Sequence, residues 1–515
     1  MKKILTLLCC AMAISAFAQP VIEWQRVFGG SNRDLGAEIQ PTEDGGYIVA
    51  GITYSSNSGD VGPTQGDGDY WVVKIDAVGA IEWQRTLGGS DTDWARAVQQ
   101  TKDGGYILGG QTESDDGDVS GNNGNEDIWI VKLSPTGALE WQQVLGGTGN
   151  DFLESVRQTT DGGYFVCGTA GSSNGDVSGN HGLTDVWAIK LNATGAIQWK
   201  KALGGSNFDG GLDGIQTTDG GFVLAGSASS IDGDLSFSLG EKDVWIVKLT
   251  AEGSTEWGYI FGGDKEDVPT SIIQANDGGY IVAAFTYSSN GDVVGNHGGG
   301  DSWVLKLSAT GLLEWQRTLG GSNSDVPYSI RQTSDGGYIV AVTTYSTDGQ
   351  VTSHYGNQDC WLVKLDGSGN VTWEKTLGGS GEDQIAGTEQ TADGGYILVA
   401  YSNSTNGDVS ANLGEEDFWV VKLSSGITGT DDDPTLEPAA LSIFPNPASG
   451  LVKLTLDREA APVHAVLTDV SGKMLYAKNI DDAGYLDVSD LPSGVYSLTV
   501  TDSEGGKYRS KILKQ

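Results

Sequence analysis

The sequence predicts an all-β chain: a seven-bladed β-propeller with four strands per blade, closed by its own first strand, then a smaller C-terminal segment of different composition. Three observations predict it. One stretch recurs seven times with a period of 58 residues. Each period holds four short runs rich in Val, Ile, Tyr and Trp, bounded by Gly, Asp, Asn or Ser, and no window carries a helical period. The array opens on a strand that its last unit lacks, so the first strand completes the last blade and leaves no bare edge.

Three anchors set the register. A Trp followed by Gly-Gly recurs from Trp24 and Trp83 to Trp373. An Asp-Gly-Gly-aromatic tetrad recurs from Asp44 to Asp393, and an Asp-x-Trp triplet from Trp71 to Trp419. Copy one carries one extra residue near Ser58. Copy two places strands at Ala95–Thr101, Tyr106–Gln111, Ile128–Leu133 and Leu139–Leu145. Two connections are tight: Thr101–Gly105 and Ser134–Gly137, rich in residues that tolerate positive φ or favour turns. Two are longer and acidic: Gly88–Asp93 and Glu113–Asp127. In a closed ring the Ala95-type strand is innermost and the Trp strand outermost. Both hairpins then share one side, and both acidic loops the other.

Asp and Glu outnumber Lys and Arg 68 to 30, a net charge of −38, which argues against a nucleic-acid partner. It suits a secreted protein, or one that takes up cations. Residues 1–18 read as a secretory signal: Lys2 and Lys3, an apolar run from Ile4 to Phe17, and Ala16-Phe17-Ala18 before Gln19. That run is too short to span a membrane, and no other segment approaches spanning length. Cys9 and Cys10 lie inside it, without the preceding small residue that lipid attachment requires. Cys167 and Cys360 are expected as separate buried thiols.

The propeller is expected over 19–423 and a linker over 424–440. Residues 441–515 change character: eight Lys or Arg against nine Asp or Glu. They carry Phe444-Pro445-Asn446-Pro447, then Thr468-Asp469-Val470-Ser471-Gly472-Lys473, then Leu491-Pro492-Ser493-Gly494-Val495-Tyr496, and close on Lys511-Ile512-Leu513-Lys514. In that order the motifs resemble the C-terminal (type A) sorting domain of the type IX secretion system of Bacteroidota. The resemblance implies a small Ig-like β-sandwich, contact with the type IX machinery, and a mature product that passes through the periplasm and is secreted or held on the outer cell surface. Read directly, Asp469–Lys473 forms a turn, and Val495, Ser497, Leu498 and Val500 suit a half-buried strand.

For chemistry, the long loops place oxygen side chains at positions 1, 3, 5 and 10 from the Asp of Gly-Asp-Val. This partly matches a calcium loop. Candidate Ca²⁺ ligands are Asp118, Asn122 and Asp127; Asp176, Asn180 and Asp185; and Asp408, Asn412 and Asp417. The competing reading is that these residues accept backbone hydrogen bonds in Gly-rich turns. The Asp ending each Gly-Gly loop, as Asp34, Asp93 and Asp151, is expected to cap local N–H groups. The turn Gly137-Ala138-Leu139-Glu140-Trp141 resembles the docking motif of quinoprotein propellers, which packs blade on blade. The vicinal Cys pair of those enzymes has no counterpart after residue 18.

Trp94 stands outside the repeat pattern. Tyr54, Tyr287 and Tyr345 share one position, with Tyr401 two residues earlier, on consecutive blades of a closed ring. These five are the candidate ligand-binding residues, for a glycan or a protein. No catalytic set is assigned. His181, His297 and His354 lie in the long loops without a nucleophile nearby in sequence, and His464 is expected on the tail's surface. Acidic residues recur in nearly every copy, whereas catalysis needs one or two. The residues therefore point to a binding or adhesion protein, the alternative being a polysaccharide-active hydrolase or lyase.

Overall fold

The computed structural model describes residues 19–426 and, beyond them, 441–444, 448, 450–456, 462–468, 474–480, 484–491, 494–502 and 507–514. The expected signal, most of the linker, and the motif residues Pro445–Pro447, Asp469–Lys473, Pro492 and Ser493 lie outside these. No helix occurs among the described residues.

Residues 19–424 form seven antiparallel sheets of four strands. In blade 2 the strands run Asp93–Gln100, Tyr106–Thr112, Asp127–Leu133 and Leu139–Leu145, in that order from the axis outward. Each begins or ends within two residues of its expected bound. The Asp residues join because Asp127 pairs with Thr112, and Asp93 with the same Thr112. Inner strands contact one another in series, and the inner strand of blade 7, Asp383–Gln390, contacts that of blade 1, Asp34–Pro41. The ring is closed by Ile22–Phe28, which pairs antiparallel with Asp417–Leu423, Gln25 opposite Val421. The extra residue of copy one is absorbed in its long loop, where Asn57 adopts φ of 49°.

The two Trp series do different work. The triplet Trp residues sit buried in the third strands. In five blades the indole N–H donates to the residue that follows the outer-strand Trp, as Trp129 to Gln142 at 2.9 Å. The outer Trp residues pack on the tetrad aromatic of the next blade, with ring centroids 5.4 to 6.2 Å apart. The turn glycine of that next blade lies over the same indole. Gly137 has φ of 76°, and a Cβ there would meet Trp83 at 2.8 Å. The docking role expected of this turn is what the geometry gives. Cys167 and Cys360 are free and buried.

The C-terminal unit is a separate β-structure with a three-stranded and a four-stranded sheet. Both contribute to one core that includes Val452, Leu454, Leu467, Leu498 and Ile512. On Gly494–Asp502, Leu498 and Val500 of the expected set are buried, together with Tyr496, which lies outside that set. His464 is half-buried on its strand rather than on the surface.

Candidate functional site: the loop face and the axial channel

A buried lysine fixes the hairpin side of each blade. Lys132 reaches Asp103 of the tetrad and Glu140 of the outer strand, both at 3.2 Å, and donates to Leu133 O. Burial raises the tetrad Asp, but a Thr hydroxyl, a Gly N–H and the Lys outweigh it, and Asp44, Asp161 and Asp219 are held at about 2. The lysine three residues after the triplet Trp repeats in every copy, and that recurrence was its signal in the sequence.

On the loop side, the Asp of each Gly-Gly loop caps its own loop as expected. Asp93 Oδ2 accepts the Gly89 N–H at 2.7 Å and the Ser114 hydroxyl at 2.9 Å, and Oδ1 accepts Thr112. The triplet Asp behaves differently. Asp69, Asp127, Asp185, Asp243, Asp301, Asp359 and Asp417 are fully buried, and in all seven Oδ1 has no hydrogen-bond donor among the described residues. Oδ2 of Asp127 accepts the Asn123 N–H at 2.7 Å. The neighbour of Oδ1 is the first glycine of the next Gly-Gly loop: a Cβ on Gly146 would meet Asp127 Oδ1 at 2.0 Å. That glycine is required at this point. Burial, with Asp151 and Asp176 facing it, pushes Asp127 up to about 6. Burial likewise takes Asp69 and Asp417 to about 6.

This arrangement re-sorts the expected calcium ligands. Asp118 stands with Asp69 and Asp93 at one junction, taking the Gln65 side chain at 2.6 Å. Asp127, at the far end of the same loop, stands with Asp151 and Asp176 at the next junction. Asn122 accepts the Gly124 N–H, and Asn412 the Gly414 N–H. Asn180 donates to Ala170 O and Ser172 O. Asp185 takes the His181 N–H, and Asp417 that of Leu413. Asp408 accepts the Gly378 N–H. Among the described residues no group of three or more His, Cys, Asp or Glu is arranged to hold a metal ion. The loop histidines pair with the buried Asp: His181 with Asp185 and His297 with Asp301 at 2.7 Å, His354 with Asp359 at 2.9 Å.

The aromatic candidates divide. Tyr401 is raised by burial and by the nearness of Tyr328, Glu416 and Tyr345. Tyr54 and Tyr401 both flank Arg33, which is bound to Glu416 at 2.5 Å. Tyr345, Tyr401 and Tyr54 thus form a sector across blades 6, 7 and 1. Tyr287 packs edge-on against Phe285. Trp94 does not join the rim. It lies on the inner strand at the channel mouth, with the Arg96 guanidinium over its ring at 3.8 Å. A second group had no signal except its departure from the repeat: Leu183, Phe208, Ile231, Phe237 and Leu239, each 42 to 65% exposed. Phe208 bridges to Thr184, and Asn207 donates to Ser230 and Ser229, so the first three of these loops touch.

Each inner strand carries a β-bulge at its middle. Two successive side chains, such as Glu154 and Ser155 or Tyr328 and Ser329, therefore face an axial cavity of about 90 Å³. The second of the two often stitches blades: Glu38 accepts the Val98 N–H at 2.8 Å, and Asp213 that of Ile272 at 3.0 Å. Glu38 also binds Arg157 through both oxygens, at 2.8 and 3.2 Å, and Arg331 binds Glu389. Burial opposes the Arg157 charge, but Glu38 and Asp213 outweigh it and raise the guanidinium above its usual value. These residues come from separate copies, and only ring closure brings them together.

The fold and tail define a β-propeller that carries an export domain. Residues 442–515 match the family described as Secretion system C-terminal sorting domain, and the tail is the sorting domain of the type IX system. Over 80% of its length the chain is 22% identical to the regulatory protein FlaEY of Caulobacter vibrioides, covering 46% of that protein. Over 74% it is 21% identical to a WD repeat-containing protein of Acanthamoeba polyphaga mimivirus, covering 36% of it. The chain thus spans less than half the length of these relatives. Among solved structures it is similar to PorZ, a surface component of the type IX secretion system of Porphyromonas gingivalis (11% identity, 94% of this chain and 59% of that one, TM-score 0.39). It is also similar to an ulvan lyase (9% identity, 79% and 96% covered, TM-score 0.45). No helix among the described residues is long and apolar enough to cross a membrane.

Proposed function

We propose that this propeller is a binding or adhesion protein, released or displayed on the outer cell surface, which holds a glycan or protein ligand on its loop face without chemical conversion. One observation carries the reading. On the loop face, exposed apolar and aromatic side chains recur from blade to blade: Leu183, Phe208 and Ile231 on blades 3 and 4, Tyr287 and Val294 on blade 5, and Tyr345 on blade 6, with the half-buried Tyr401 and Tyr54 beside it on blades 7 and 1. Clustered exposed apolar surface on a soluble protein marks a contact surface.

Two features weigh for binding over a hydrolase or lyase. Of the axial carboxylates, Glu38 and Glu389 are engaged by Arg157 and Arg331 and Asp213 by two backbone N–H groups, which leaves Glu154 without the second free carboxylate that a hydrolase pair needs. The cavity of about 90 Å³ is well below the roughly 300–1,000 Å³ of pockets that hold drug-sized ligands. The test is a glycan array, run beside a panel of surface proteins, on the purified chain. Its variants are Tyr345→Ala with Tyr401→Ala, and Phe208→Ser with Ile231→Ser. The reading expects a saturable ligand lost on one pair and kept on the other. Released oligosaccharide products would overturn it in favour of the enzyme.

A further inference from the structure

Most charges in the channel are matched. Glu38 meets Arg157, Glu389 meets Arg331, and Asp213 accepts two backbone N–H groups. Two are not. Arg96 makes no hydrogen bond or ion pair among the described residues, and its Nε and the Trp94 indole N–H are both buried without a partner. Glu154, at the same strand position one blade on, also has no donor. It feels the charge of Arg96, but no ion pair forms between them. Both side chains line the cavity.

Tyr328 faces the same space. Its oxygen accepts Gln384 Nε2 at 2.5 Å, so its own proton is available to a ligand. Size narrows the choice. About 90 Å³ is several times the ~10–15 Å³ that one water needs, yet too small for a sugar chain. Charge narrows it further. An anion on Arg96 alone would lie beside Glu154 and Asp213, and a cation on Glu154 alone beside Arg96. A small molecule carrying both signs satisfies both unpaired groups and adds no net charge to a partly desolvated site.

We infer that the axial channel binds a small zwitterion, an α-amino acid. Its carboxylate lies on Arg96 and the Tyr328 hydroxyl, and its ammonium on Glu154. This site does not rest on the loop-face reading: it shares no residue with the side chains named there, and only Tyr328, which stands near Tyr401 and Tyr345, borders them.

The test is calorimetric titration of the full chain with L-alanine, propionate and ethylamine, which remove the ammonium or the carboxylate in turn. L-Alanine is expected to bind saturably, and the other two at least about 10-fold more weakly, as the loss of one charge-assisted contact predicts. Arg96→Gln and Glu154→Gln should each weaken L-alanine about 10-fold. Glu154→Gln should also leave propionate no weaker than in the parent chain, an outcome that general loss of structure cannot produce. Melting curves of both variants confirm folding; should Arg96→Gln not fold, Glu154→Gln carries the test alone. Equal binding of L-alanine and propionate, no saturable heat with any of the three, or parent-like affinity for L-alanine in a folded variant overturns the inference.

Discussion

Replacing Asp127 by Asn should stabilise the ring at pH 8 and do little at pH 4. Asp127 is fully buried, keeps one oxygen bonded to the Asn123 N–H, and leaves Oδ1 facing Asp151 and Asp176 without a donor. Burial is the main cause of its rise from 3.8 to about 6. A carboxyl raised in the folded state binds its proton more tightly there than when unfolded. Its stabilisation is therefore fully present below about pH 4 and lost as pH rises through about 6. A rise of roughly two units corresponds to about 3 kcal/mol, which solvent screening at the loop face reduces to ~1–2 kcal/mol. Asn keeps the Asn123 contact through its carbonyl and turns an amide toward the neighbouring carboxylates. Urea unfolding of parent and variant at the two pH values reads the difference directly. A variant less stable than the parent at both would refute the reasoning, because Oδ1 would then have a partner, such as a bound cation, that Asn cannot keep.

Other outcomes follow from the same geometry. Gly88→Ala should cost at least ~2 kcal/mol in urea unfolding, since its Cβ would lie 2.3 Å from Asp69 Oδ1. Gly121→Ala, with φ of 99° and nothing within 4 Å, should cost only about 1 kcal/mol. Lys132→Met should destabilise by ~1–3 kcal/mol, as Leu133 O loses its buried donor; an unchanged midpoint would make the lysine a surface group in effect. Chelator should leave the melting temperature unchanged, because the candidate oxygens of one loop serve opposite junctions and do not converge on a single ion. A fall restored by Ca²⁺ would return the loops to the calcium reading. Deleting 442–515 should keep the chain inside the cell envelope, measured by cell fractionation, whereas unimpaired export would remove the tail's role.

The sequence made the ring legible because each anchor has one physical job. The outer Trp needs an aromatic and a bare glycine from the next blade, the triplet Trp needs a buried slot, and the tetrad needs its positive-φ turn. Repetition made these positions visible. It also misled. Oxygen spacing inside one loop read as a calcium site, yet Asp118 and Asp127 serve opposite junctions, a sorting that only the closed ring sets. Trp94 read as a rim aromatic because it follows a loop Asp. Strand alternation instead turns it to the channel mouth, where Arg96 covers one face. The channel was the least legible part. Glu38, Arg96, Glu154, Arg157, Asp213, Arg331 and Glu389 come at most two to a copy and none from copy five, at positions where the copies differ. No local pattern announces that they converge.

Ring closure is the claim on which the loop face and the channel both depend. Val21 and Ser424 meet at the seam, with the Ser424 N–H donating to Val21 O and the Val21 N–H to the Ser424 hydroxyl, at 2.9 and 3.0 Å. In a chain starting at Gln19 and carrying Val21→Cys and Ser424→Cys, mild oxidation should form an intramolecular disulfide, with both new thiols protected from alkylation under native conditions. Two freely alkylated thiols, or cross-links only between molecules, would contradict the closed ring.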